Sequence, residues 1–152
     1  MDNMKLSPVA SNYNKRNAEL FGFALQISSM HARRQEWSVG RLSSLILPAV
    51  YHEKIRFFFN HDGMPIGYIV WAFPSPEIQN LLFHEPNYIL HESEWDEDGQ
   101  LLILDFVAQP ENIFSILSEL RRSTFAAYNT VSFAQLDSKT NTRRMVTWTI
   151  KK

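Results

Sequence analysis

Residues 101–108 read Leu-Leu-Ile-Leu-Asp-Phe-Val-Ala. A nearly continuous apolar run of this kind suits a central β-strand covered on both faces. Asp105 is the exception in it. A carboxylate buried without partners costs several kcal/mol or more, so this one needs hydrogen-bond donors or a nearby cation. A histidine would serve, because a carboxylate fixes the tautomer of an imidazole and stabilises the imidazolium. A strand-end carboxylate capping a neighbouring loop is the alternative.

The chain on either side supplies the layers such a strand requires. Leu20, Phe21, Phe23, Ala24, Leu25 and residues 27–31 predict an apolar helix, with Asn12 or Asn14 as its cap. His31 closes that helix, and Ser28 lies one turn earlier, so hydroxyl and imidazole can share a face. Residues 32–36 form a charged break. A second helix, capped by Ser38 and striped by Val39, Leu42, Leu45 and Ile46, is expected to stop at Pro48. Residues 54–59 and 64–73 flank Asn60-His61-Asp62-Gly63 and predict a hairpin. Ser75 is expected to cap a helix from Glu77 to about Leu82, with a weaker continuation toward Leu90. After the central strand, Pro110 and Asn112 lead into an amphipathic helix over residues 113–128. Residues 131–136 and 145–150 predict two last strands joined by a polar loop over residues 137–143. The order is that of an α/β (α+β) protein, a mixed sheet with helices packed on it.

Composition narrows the classes. The 152 residues predict a single domain spanning 1–152, with residues 1–11 as a frayed end. A net charge of −1 argues against a general nucleic-acid binder. The charge is nevertheless polarised. Residues 85–98 hold six acids and no Lys or Arg, whereas residues 121–152 hold seven Lys/Arg and one acid. The absence of cysteine removes disulfides, thiol nucleophiles and Cys-based zinc sites. No apolar run reaches the roughly 18 residues that span a bilayer, and the first residues lack a signal-peptide core. Those features predict a cytoplasmic protein with no stable membrane insertion.

Motifs of common chemistries are missing. There is no G-x-S-x-G elbow, no G-x-G-x-x-G, no phosphate-binding P-loop and no Q/R-x-x-G-x-G/A loop for coenzyme A. His84 and His91 are seven residues apart, a poor spacing for metal ligands, so no metal site is expected. His52 and His61 read as surface or turn residues.

Several ordered pieces carry a resemblance. Ser28-Ser29-Met30-His31 fits S-x-x-H, and Trp37 and Leu47-Pro48-Ala49-Val50 fit the W and L-P-A-[IV] that follow it. Residues 65–72, P-I-G-Y-I-V-W-A, are similar to P-V-A-Y-x-S-W-A, and residues 104–108, L-D-F-V-A, to the I-D-W-I-A strand. Residues 133–146 loosely match a basic tail. Together, over about residues 21–150, these pieces resemble the RTX-toxin-activating lysine acyltransferases, whose type member activates hemolysin. The chain departs from the pattern at Phe106 (Trp in the type member), at the extra residue between Ala108 and Pro110, and at Arg144-Met145-Val146, which replaces Gly-Lys-Val.

The resemblance implies a fold like that of GCN5-related N-acetyltransferases, a homodimer, and a fatty acyl group taken from acyl-carrier protein as co-substrate, with no cofactor. The acceptor would be a lysine of a protein toxin, or a lysine or ornithine of a ribosomal precursor peptide. His31 and Asp105 become the catalytic pair, with Ser28 beside them. Phe57, Phe59, Tyr68, Trp71 and Phe106 are expected to line an acyl groove, in which each buried CH₂ contributes ~0.8 kcal/mol. Arg33, Arg34, Arg41, Arg121 and Arg122 are expected to dock the acidic carrier protein. A non-catalytic peptide- or lipid-binding module on the same fold, or an acetyl-coenzyme-A-dependent N-acetyltransferase, are the competing readings.

Overall fold

A computed structural model describes residues 6–137 and 142–150. The expectations for residues 1–5 and for the middle of the 137–143 loop lie outside the described residues. Five strands form one sheet in the order β1-β2-β3-β4-β5. They are β1 Ile55–Phe59, β2 Pro65–Ala72, β3 Leu102–Ala108, β4 Thr130–Asp137 and β5 Thr142–Thr149. Neighbours are antiparallel except β3 and β4, which run parallel. A parallel step needs a crossover, and helix α5, Ile113–Arg122, provides it.

The helices cover both faces, unequally. Helices α1 (Asn12–Ser29), α3 (Val39–Tyr51) and α4 (Pro76–His84) pack on one face. There Ala24, Ile27, Leu42, Ile46 and Ala49 meet Tyr68, Val70, Ala72 and Val107. Helix α5 covers the other face, where Ile116 and Leu120 meet Ile69, Ala108 and Val131. The mixed sheet with flanking helices is the architecture that the sequence predicts, and it agrees with a GCN5-related acetyltransferase-like fold.

Local chemistry explains the boundaries. The hairpin turn is held by the Asn60 side chain, whose Oδ1 accepts from the amides of Asp62 (3.0 Å) and Met64 (2.9 Å). Gly63 supplies the positive φ of 76° that the turn needs. Ser38 caps α3 by accepting from the Arg41 amide at 3.0 Å, and Ser75 caps α4 by accepting from Ile78 at 3.3 Å. The cap of α1 is Ser11, not Asn12 or Asn14; its hydroxyl accepts from the Asn14 amide at 3.2 Å.

Three helix ends differ from the sequence expectation, and β5 begins at Thr142 rather than at Met145. Helix α3 runs through Pro48 to Tyr51. Pro48 removes only one donor, and the buried stripe of Leu42, Ile46 and Ala49 continues past it. Helix α5 ends at Arg122 rather than Tyr128; the Arg56 guanidinium gathers Glu119, Ser123 and Thr124 at that end. Helix α1 ends at Ser29, so His31 leaves it. The charged break becomes a single helical turn, α2 (Ala32–Gln35), with His31 at its N-cap.

Two irregularities set up the site. Strand β3 is bulged: Val70 faces Asp105 while the adjacent Trp71 faces Ile103, so Leu104 is an extra residue. Leu104 and Asp105 therefore both turn toward the α1/α3 layer. Strands β3 and β4 pair only at Leu102 with Ser132 and at Ile103 with Phe133, and part beyond that point.

Candidate active site

The bulge delivers Asp105 to a buried position against Tyr68, and the turn of α2 delivers Arg34 to the same carboxylate. Arg34 Nη1 donates to Asp105 Oδ2 at 2.8 Å, and Nη2 donates to Oδ1 in a short second bond. The pair is bidentate, the arrangement that matches guanidinium to carboxylate best. The Tyr68 hydroxyl donates to Oδ2 at 2.9 Å. Three donors thus satisfy a carboxylate whose side chain is 3% exposed, which meets the cost of burying it.

Tyr68 is fully buried, and burial, then the neighbouring Asp105 charge, push its phenol pKa well above the ordinary range. The Ser28 hydroxyl beside it and the Arg34 charge act in the opposite sense and are outweighed. Tyr68 is therefore a fixed hydrogen-bond donor across the neutral pH range.

Ser28 and His31 complete the neighbourhood. Ser28 Oγ and His31 Nδ1 are both buried; His31 Nδ1 has no hydrogen-bond partner among the described residues, and Ser28 Oγ, beside the Tyr68 hydroxyl, makes no well-formed hydrogen bond there. An unpaired buried polar atom costs about 1–3 kcal/mol and calls for an explanation. His31 is tied to the ion pair through the backbone: its carbonyl accepts from the amides of Arg34 at 2.8 Å and Gln35 at 3.1 Å. The hydrogen bonds to Asp105 thus come from Arg34 and Tyr68, and its connection to His31 runs through α2.

A cleft of about 630 Å³ opens beside this cluster, where β3 and β4 part. Asp105 and Arg34 line it, together with the apolar side chains of Leu45, Leu82, Leu90, Leu102 and Met145. Trp37 also lines it, stacked between the guanidinium carbons of Arg34 (4.0 Å) and Arg41 (3.9 Å).

The aromatic residues expected to form one groove are divided by the sheet. Phe57 and Tyr68 lie in the α1/α3 layer, whereas Trp71 and Phe106 lie with α5. Phe59 is exposed and meets Phe23 edge-on at 5.2 Å. None of the five lines the cleft. The arginines are divided as well. Arg33 is exposed on α2, Arg34 is committed to Asp105, and Arg41 is exposed on α3. Arg121 and Arg122 end α5 on the opposite layer, with Arg122 3.7 Å from Glu119. His52, expected at the surface or in a turn, lies in the turn after α3, where it is half-buried and stacked on Trp95 at 5.4 Å. No helix among the described residues is long and apolar enough to cross a membrane.

A mixed sheet that parts over a cleft lined by apolar side chains and by the Arg34–Asp105 pair suits a group-transfer enzyme whose substrate carries an apolar chain. Comparison with known families places the chain within one: residues 13–149 match the model of the RTX toxin acyltransferase family, and the chain belongs to that family. Acyl transfer is therefore its class of reaction. The chain is also 24% identical over 107 residues to lysine-acyltransferase RtxC of Vibrio cholerae serotype O1, a match covering 70% of this chain and 69% of that protein.

Proposed function

We propose that this protein moves a fatty acyl group from acyl-carrier protein to the side-chain amine of a lysine in a protein toxin, or of a lysine or ornithine in a ribosomal precursor peptide. Family membership supports the acyl transfer, and the name of the Vibrio cholerae relative supports a lysine acceptor. One observation carries the mechanism. The imidazole nitrogen left buried without a partner among the described residues belongs to the residue at the N-cap of α2, and α2 is clamped to Asp105 by Arg34.

The chemistry fits those residues. A thioester is already activated, but a lysine amine with a pKa near ~10.4 is almost wholly protonated at neutral pH. Only the neutral amine carries a lone pair, so the ammonium first gives one proton to solvent; His31 then takes a second proton from the nitrogen as it attacks the thioester carbonyl and the new C–N bond forms. The C–S bond then breaks, and His31 returns the proton to the departing thiolate of the carrier. Asp105 acts as a positioning residue: it holds Arg34, Arg34 holds α2, and α2 fixes the backbone that presents His31. Tyr68 keeps the carboxylate from turning. The apolar cleft takes the acyl chain and excludes water from it.

The donor is tested by supplying one lysine-bearing acceptor with acyl-carrier protein loaded with C8 to C16 chains and, separately, with acetyl-coenzyme A. Transfer from the carrier protein and not from acetyl-coenzyme A is expected. The reverse preference would overturn the donor assignment and leave acyl transfer standing.

A further inference from the structure

The cleft combines apolar side chains with three arginines, and among the described residues two of those arginines lack an acidic partner. Arg34 is neutralised by Asp105. Arg41 is exposed, faces no carboxylate among the described residues, and is held on the ring of Trp37. Arg143, from β5, gives one N–H to the Leu82 carbonyl at 3.2 Å and has no ion pair among the described residues. The other carboxylate lining the cleft is Glu85, which is exposed and solvated. Stacking on Trp37 restrains the Arg41 guanidinium without consuming its N–H groups, so an incoming anion meets a preorganised donor and need not displace an internal one. A ligand complementary to this cleft has an apolar chain leading to a single anionic group.

We infer that Arg41 and Arg143 bind the phosphodiester of the donor's phosphopantetheine arm in the cleft, with the acyl chain lying along Leu45, Leu82 and Leu102. The inference rests on the carrier-protein donor proposed above and adds the residues that recognise the prosthetic arm. It also accounts for a donor grip in a chain with no glycine-rich phosphate loop. Here side-chain guanidinium groups take the place of backbone amides.

The test is calorimetric titration of the full chain with S-octanoyl-4′-phosphopantetheine and with S-octanoyl-pantetheine, which lacks the phosphate. The phosphorylated compound is expected to bind at least about tenfold more tightly, the scale of one or two charge-assisted hydrogen bonds. Arg41→Gln and Arg143→Gln should each remove most of that preference and leave the affinity for the dephosphorylated compound unchanged. Equal affinities in the wild type, or a preference that survives both substitutions, would overturn the anion site while leaving the donor cleft in place. Failure of the wild type to bind either compound would overturn both.

Discussion

Removing Arg34 should cost more than removing the Asp105 it serves. Arg34→Ala leaves a carboxylate that is 3% exposed with Tyr68 as its remaining side-chain donor. An uncompensated buried charge costs about 3–5 kcal/mol. The Arg34 side chain is 16% exposed, so its loss admits some water and sets the expectation near the lower bound, about 3 kcal/mol. Asp105→Ala removes the charge that required a partner. The freed guanidinium keeps the Trp37 face at 4.0 Å and lies nearer to solvent, so the expected loss is about 1–2 kcal/mol. The combined Arg34→Met, Tyr68→Phe and Asp105→Leu variant removes the guanidinium, the phenol hydroxyl and the carboxylate together at similar volume and should fall within about 1 kcal/mol of the wild type. Urea unfolding followed by circular dichroism measures all three. Losses below about 0.5 kcal/mol for both single variants, strictly additive in the Arg34→Ala/Asp105→Ala pair, would refute the clamp.

Three further outcomes are expected. The folded state holds the Tyr68 proton beyond the ordinary phenol value of 10.0, so its contribution to stability is fully present below that pH and is lost as the pH rises above it. The loss approaches ~1.4 kcal/mol per pH unit, and Tyr68→Phe should flatten that part of the stability profile in unfolding measurements between pH 9 and 11.5. Gly67→Ala would place a Cβ 2.9 Å from the Val107 carbonyl oxygen and 3.1 Å from Ala108 Cβ; a destabilisation of about 1–3 kcal/mol should appear as a lower urea midpoint. Ser38→Ala deletes the α3 cap and should cost about 1 kcal/mol without altering transfer, checked by thermal melts beside a transfer assay.

The layers of the fold were legible because they rest on periodicity and turn chemistry. The Asp62-Gly63 turn, the Ser38 and Ser75 caps and the nearly continuous apolar run around Leu104 each state their own structure. Asp105 was legible as a residue in need of a partner, because an isolated carboxylate among apolar neighbours is costly. Its partner was not. Strict alternation from Leu101 would have put Asp105 on the α5 face with Leu101 and Ile103; the bulge at Leu104 reverses its side, and no residue type announces that bulge. Arg34 read as one of several surface cations because the charged segment 32–36 gave no sign of a helical turn. Its spacing of three from His31 was the signal available, since an N-cap and the residue one turn on belong to one rigid unit. The division of the aromatic residues between two layers depends on strand register, which composition does not encode.

The proposed transfer depends most directly on His31 as the base. Single-turnover transfer from acyl-carrier protein to a lysine-bearing acceptor, followed by intact mass, measures its part. His31→Ala should lower the rate by about 10²–10⁴ with the circular dichroism spectrum and urea midpoint retained. A folded His31→Ala protein that transfers within about threefold of the wild-type rate would contradict it.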